Sequence, residues 1–177
     1  MKKNLFAIVA VAGLSAAASA QVVNGGFESG LSNWNVTLAA SGTYFGHSIS
    51  FSHSGSGSVF FAAVDGLPDA IDQDVPTTPG EGYTVSFWLY NFTSGGDNMR
   101  VLWDGTEMFS IGGPAFEWTQ FSFNAVGGAG ATTNLRFEGF DGPDVIYLDD
   151  VAVTVPTPGA AAILGLGGLA TLRRRRK

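Results

Sequence analysis

The chain of 177 residues contains no cysteine. No disulfide can brace it, so its stability has to come from a buried core, a bound ion, or both. Cysteine nucleophiles are excluded with it. Basic residues are almost missing from the body of the chain. Of nine Lys and Arg, two lie within residues 1–20 and five at 173–177, which leaves Arg100 and Arg136. All fifteen Asp and Glu fall between those ends, so the central segment sets two basic against fifteen acidic residues, a net charge of about −13. This excludes a nucleic-acid binder, which needs Lys and Arg to neutralise phosphates. It suits divalent cations and solubility outside the cell. Histidine is limited to His47 and His53, and neither has metal-ligand spacing such as H-E-x-x-H. There is no G-x-S-x-G elbow. Glu107, Glu117 and Glu138 fall on expected strands, but no glycosidase-type carboxylate pair can be read from their spacing. A non-catalytic protein is therefore expected.

The two ends read as sorting segments rather than parts of a fold. Lys2 and Lys3, the apolar stretch from Leu5 to Leu14 and Ala18-Ser19-Ala20 make a secretory signal peptide cleaved after Ala20. At the other end, Val155-Pro156-Thr157-Pro158-Gly159 precedes an apolar run from Ala160 to Leu172 and the basic cluster Arg173–Lys177. The run is short of the ~20 apolar residues of a full membrane span. Its basic end belongs on the cytoplasmic side. A short apolar helix that anchors the chain transiently in the inner membrane is expected. The tail resembles the PEP-CTERM class of bacterial sorting signals, whose usual core is Val-Pro-Glu-Pro; here Thr157 replaces the Glu. The resemblance implies a membrane sorting protease of the exosortase type, acting around Pro156, Thr157, Pro158 and Gly159, and an address at the cell envelope or outside the cell. The chain then divides into a signal peptide at 1–20, one domain at 21–155 and a sorting segment at 156–177.

No long amphipathic helix can be read in the central segment. Short alternating apolar runs sit between turn clusters rich in Gly, which predicts an all-β, antiparallel β-sandwich. The clearest strand is Tyr83–Phe92, with Tyr83, Val85, Phe87 and Leu89 on one face and Ser86, Trp88 and Tyr90 on the other. Further strands are expected near 34–39, 46–50, 58–64, 71–75, 98–103, 106–109, 118–125, 133–140 and 146–155, with Asp104-Gly105 as a type I′ hairpin turn. Eight to ten strands in one domain suit a jelly roll.

Four ordered segments carry a second resemblance: Asn24-Gly25-Gly26-Phe27-Glu28-Ser29-Gly30 followed by Trp34, Ser54-Gly55-Ser56-Gly57-Ser58, Tyr83-Thr84-Val85-Ser86-Phe87-Trp88, and Ile146-Tyr147-Leu148-Asp149-Asp150-Val151. Together they resemble the galactose-binding-like jelly rolls that include many carbohydrate-binding modules. That likeness implies a structural calcium held by Glu28, by Asp149 or Asp150, and by carbonyls near Gly25 and in the Ser54–Ser58 turn. Adjacent Asp149 and Asp150 point to opposite faces of a strand, so both reach one ion only across a bulge. The competing reading has Glu28 capping backbone amides and the two Asp solvated. For a glycan, Trp88 and Tyr90 would supply stacking surfaces, with Trp103, Arg100 and Asp104 nearby; core packing competes for each Trp. The expected role is an exported, non-catalytic surface or matrix protein that binds polysaccharide, such as an exopolysaccharide matrix. The alternative is a structural or adhesive protein stabilised by calcium, with no glycan ligand.

Overall fold

A computed structural model describes residues 21–39, 44–63, 67–93, 95, 98–140 and 145–156. The ends, with the signal peptide, Ala20, Thr157, Pro158, Gly159 and the C-terminal apolar helix, lie outside these residues.

Ten strands form in chain order: β1 Asn35–Thr37, β2 Gly46–Ser48, β3 Ser58–Phe61, β4 Asp69–Pro76, β5 Gly82–Asn91, β6 Asn98–Trp103, β7 Thr106–Gly112, β8 Phe116–Val126, β9 Thr132–Phe140 and β10 Ile146–Thr154. They make two five-stranded antiparallel sheets, ordered β1-β4-β9-β6-β7 and β2-β3-β10-β5-β8. The described residues contain no helix. The fold is thus the all-β sandwich with jelly-roll architecture that the alternation predicts.

Period-two alternation builds the core. Along β5, Tyr83, Val85, Phe87 and Leu89 are buried while Ser86, Trp88 and Tyr90 are half-buried on the other face. Leu135 and Phe137 of β9, Met99 and Val101 of β6, and Ile146 and Leu148 of β10 meet them between the sheets. Phe87 packs edge-on against Phe137 of the opposite sheet at 5.3 Å between centroids, a favoured aromatic geometry. Trp34 lies in the same core, 5.5 Å from Phe27 and 6.2 Å from Phe137. Asp104 and Gly105 have φ of 52° and 76°, the two positive values a type I′ turn demands.

The stretch before β1 is a string of turns held by Asn24. Its side-chain amide donates to the Gly30 and Ser32 carbonyls, and its Oδ1 accepts the Ser29 N–H. The Trp34 indole N–H donates to the Asn24 carbonyl. These bonds wind the segment around buried Phe27 and leave the Glu28 side chain facing the loop before β3.

Candidate functional site

Three surfaces hold the residues with chemical potential. The first is a corner where the turns before β1 meet β10. The Val151 N–H donates to the Gly25 carbonyl at 2.9 Å, and a side chain at Gly25 would run into the Val151 carbonyl. The register of β10 against β5 shifts between Asp149 and Ala152, and Asp150 has φ of 48°. This is the bulge that lets neighbouring carboxylates face one target. Both grip residues 53–54, Asp149 by their backbone and Asp150 by their side chains. Asp149 Oδ2 accepts the His53 and Ser54 N–H groups at 2.8 and 3.2 Å. Asp150 meets His53 Nδ1 at 2.7 Å and accepts the Ser54 hydroxyl at 2.8 Å. Two residues on, Glu28 accepts the Ser56 N–H and hydroxyl and the Gly57 N–H.

The two carboxylates best held here are pushed in opposite directions. The Ser56 N–H, with the Ser56 hydroxyl and the Gly57 N–H behind it, holds Glu28 below the ordinary carboxylate range. Asp149 is fully buried, and that burial pushes its carboxyl up to about 6 against the pull of its N–H donors. Glu28 thus caps amides, as the competing reading had it, whereas Asp149 is buried rather than solvated. Among the described residues no group of three or more His, Cys, Asp or Glu is arranged to hold a metal ion.

The second surface is the outer face of the β2-β3-β10-β5-β8 sheet. Trp88 and Tyr90 do share it, joined by Trp118 and Tyr147. However, the loop pinned by Glu28, Asp149 and Asp150 lies across them. The His53 ring stacks on Trp88 at 3.7 Å and 15°. Phe51 sits 4.9 Å from Tyr90, 5.3 Å from Phe92, 5.5 Å from Trp118 and 4.8 Å from Tyr147. The expected stacking platform is therefore largely spent on the chain's own loop. Phe92, at 45% exposure, and Tyr44, at 67%, are the large aromatics left open among the described residues.

The third surface is the outer face of the β1-β4-β9-β6-β7 sheet, and it is polar. Asn35 of β1 donates to Asp72 of β4 at 3.0 Å. Asn134 of β9 donates to Asp72 and Asp74. Arg136 donates to Asp72 at 3.0 Å and to Glu138 at 2.8 Å. Arg100 of β6 donates to the other oxygen of Glu138 at 2.6 Å, and lies 3.9 Å from Glu107 of β7. One belt of donors and acceptors thus crosses all five strands, ~19 Å from first to last at ~4.8 Å per strand. Both arginines of the central segment lie in it. Arg100 also covers the Phe140 ring at 5.5 Å.

The four residues expected to contact a glycan are consequently dispersed. Trp88 and Tyr90 are on one outer face, and Arg100 is on the other. Trp103 is a core residue, 4% exposed, with its indole N–H donating to the Val126 carbonyl at 2.7 Å. It points inward because β6 alternates with Met99 and Val101. Its edge walls a cavity of about 670 Å³ at the end of the sandwich, beside Tyr83, Met108, Asn124 and Asp104. Sequence reasoning passed over Arg136, Glu138 and Asp72 as a set. The signal was available in the alternation Asn134, Arg136, Glu138 against Leu135 and Phe137, but not the partners.

No protein-family profile matches the chain, and none of the curated proteins matches it. Solved structures do resemble it. A family 61 carbohydrate-binding module in complex with β-1,4-galactotriose superposes with a TM-score of 0.64 at 18% identity, over 77% of this chain and 99% of that one. A family 16 carbohydrate-binding module gives 0.56 at 15% identity, over 75% and 97%. The N-terminal module pair of a Clostridium thermocellum endo-1,4-β-D-xylanase, complexed with xylohexaose, gives 0.60 at 16% over 78% of this chain and 29% of that one. These similar structures are mostly binding modules, some within enzyme chains, and at such identities the likeness establishes the jelly-roll fold shared with carbohydrate-binding modules.

Proposed function

We propose that this domain is a non-catalytic module that binds a neutral polysaccharide across the outer face of the β1-β4-β9-β6-β7 sheet. The observation that carries the reading is the belt of Asp72, Arg136, Glu138 and Arg100, fixed by its own hydrogen bonds before any ligand arrives. Sugar hydroxyls both donate and accept, and a pre-organised row of charged partners meets them without the cost of ordering side chains. Four carboxylates, Asp72, Asp74, Glu107 and Glu138, outnumber the two arginines, so the face repels uronate polymers and accepts uncharged ones. The similar binding modules support the ligand class. The sorting ends support delivery to the cell envelope or matrix, with the tail processed by an exosortase-like protease; intact mass of the envelope form should then lack Arg173–Lys177.

The test is pulldown on insoluble neutral and acidic polysaccharides. Saturable binding to a neutral glycan should be lost in Arg136→Ala and Glu138→Gln and kept in Trp88→Phe. Loss in Trp88→Phe alone would move the site to the aromatic face. No binding by a folded domain would leave the structural matrix role.

That alternative role has its own support in the acidic corner. Asp149 is buried in the sheet opposite the one that holds both arginines, so among the described residues no Lys or Arg pairs with this corner, whose neighbours are His47 and His53. Carboxylate and carbonyl oxygens are the donors calcium takes, and Glu28, Asp149 and the Gly25 carbonyl are of that type, but each already accepts N–H groups of the chain, which calcium would have to displace. A bound calcium would supply the missing positive charge and tie the first turns to β10. If so, EDTA should lower the melting temperature and Glu28→Ala should remove that sensitivity; an unchanged melting curve would count against calcium.

A further inference from the structure

The two sheets end in four edge strands, and three of them are blunted. β1 and β2 are three residues long. β7 is seven residues long, carries Glu107 and is bulged in its middle, at the register shift Val101/Leu102, whereas the shift of β8 against β5 lies at its first residues and leaves 119–126 regularly paired. The fourth, β8, is eleven residues long, with Glu117 its single charge and no Pro or Gly. Proteins commonly protect such an edge with Lys, Pro, bulges or a short strand. This chain has no Lys between Lys3 and Lys177. No described strand pairs with the outer side of β8. We propose that β8 is a self-association edge, at which two copies of this chain join their β2-β3-β10-β5-β8 sheets into one continuous antiparallel sheet.

The register follows from the backbone. The Gly127 N–H donates to the Glu81 carbonyl and its own carbonyl accepts the Gly80 N–H. Gly127 therefore faces the β5 side, and the even-numbered residues before it turn their N–H and C=O groups outward, since neighbours alternate. The Val126 carbonyl already accepts the Trp103 indole N–H. Gln120, Ser122 and Asn124 remain. A two-fold axis through Ser122 pairs it with its copy and sets Gln120 opposite Asn124, giving about six backbone hydrogen bonds. The same register places Thr119 against Ala125 and Phe121 against Phe123, all within the regularly paired part of β8. The two Glu117 residues lie at opposite ends of the joined edge, so no like charges meet.

Charge selects this edge. A domain with fifteen acids and two bases repels its copy over most orientations. The β8 edge from Trp118 to Val126 is neutral. A second copy presents the same neutral, self-complementary row, as a two-fold interface requires.

The absence of cysteine makes the test clean. Single-cysteine variants Ser122→Cys and Ser86→Cys of the full chain should be treated with a short bis-maleimide. Ser86 shares the outer face with Ser122 and pairs with it, but two Ser86 residues would lie ~14 Å apart across the joined sheet. Ser122→Cys should cross-link to a dimer and Ser86→Cys should not. Sedimentation velocity should show a dimer that Ser122→Lys weakens at least about tenfold, since two like charges would face each other, while Ser86→Lys leaves it intact. A monomeric wild-type chain, equal cross-linking at both positions, or a dimer indifferent to Ser122→Lys would overturn the proposal. Association through the signal or tail segments would give that last result. Glycan binding on the opposite sheet is read separately and does not bear on the outcome.

Discussion

His53 shows how one side chain can decide what a surface does. Its backbone N–H is held by Asp149 and its ring is held by Asp150, so the ring has little freedom left when it lies on Trp88 at 3.7 Å. Stacked aromatic pairs contribute ~0.5–1.5 kcal/mol beyond area burial, and the half-exposed hydrogen bond to Asp150 adds ~0.5–1 kcal/mol. His53→Ala should therefore cost ~1–2 kcal/mol in urea unfolding and change the tryptophan emission as Trp88 meets water. An unaltered midpoint and spectrum would mean that the ring does not cover the indole. At the belt, Glu138 is the residue that most constrains its neighbours. It is 8% exposed and takes one arginine on each oxygen. Removing it takes a partner from both arginines at once, leaving Arg136 only Asp72 and Arg100 only the longer contact to Glu107, so Glu138→Leu should destabilise more than either Arg→Met change when each is measured by thermal melting.

At the scale of elements, two glycines separate turn strain from packing. Gly105 has φ of 76° and nothing within 4 Å of where a Cβ would sit. Gly105→Ala should therefore cost only the left-handed backbone penalty, ~1–2 kcal/mol, and leave the β6–β7 hairpin in place. Gly139 of β9 has ordinary backbone angles, but a Cβ there would lie 2.5 Å from the Phe61 ring. Gly139→Ala should cost ~1–3 kcal/mol by overpacking and disturb the opposite sheet at β3. Paired denaturation curves check both: a neutral Gly139→Ala would mean that Phe61 can move aside. The β10 bulge is a third element-scale feature with a consequence. A regular strand would aim Asp149 and Asp150 at opposite faces. With the bulge both reach one loop, and that loop in turn closes over Trp88 and Tyr90. A local irregularity in β10 thereby sets the character of a whole sheet face.

For the molecule as a whole, neither outer face has the character that its residue types suggest. The aromatic face reads as a ligand platform from its residue types, yet it is a second small core beneath its own loop. The polar face reads as ordinary solvated strand surface, yet it is a connected belt. Strand number, alternation, the inward set on β5 and the Asp104-Gly105 turn were legible because each depends on residues one to four apart. Period-two patterning and turn chemistry act at that range. That Asp149 and Asp150 could share one target only across a bulge was legible for the same reason. The partnership of Asp72 with Arg136, 64 residues apart, and of Arg100 with Glu138, 38 apart, was not. Those pairs arise because the jelly-roll order lays β9 between β4 and β6. The landing of Phe51 and His53 on Trp118 and Trp88 depends likewise on a loop closed by carboxylates from both ends of the domain. Local chemistry fixed which residues point in and which point out. The order of strands within the sheets, set by burial of the whole core, decided which outward residues meet, and so which face the chain's own loop covers.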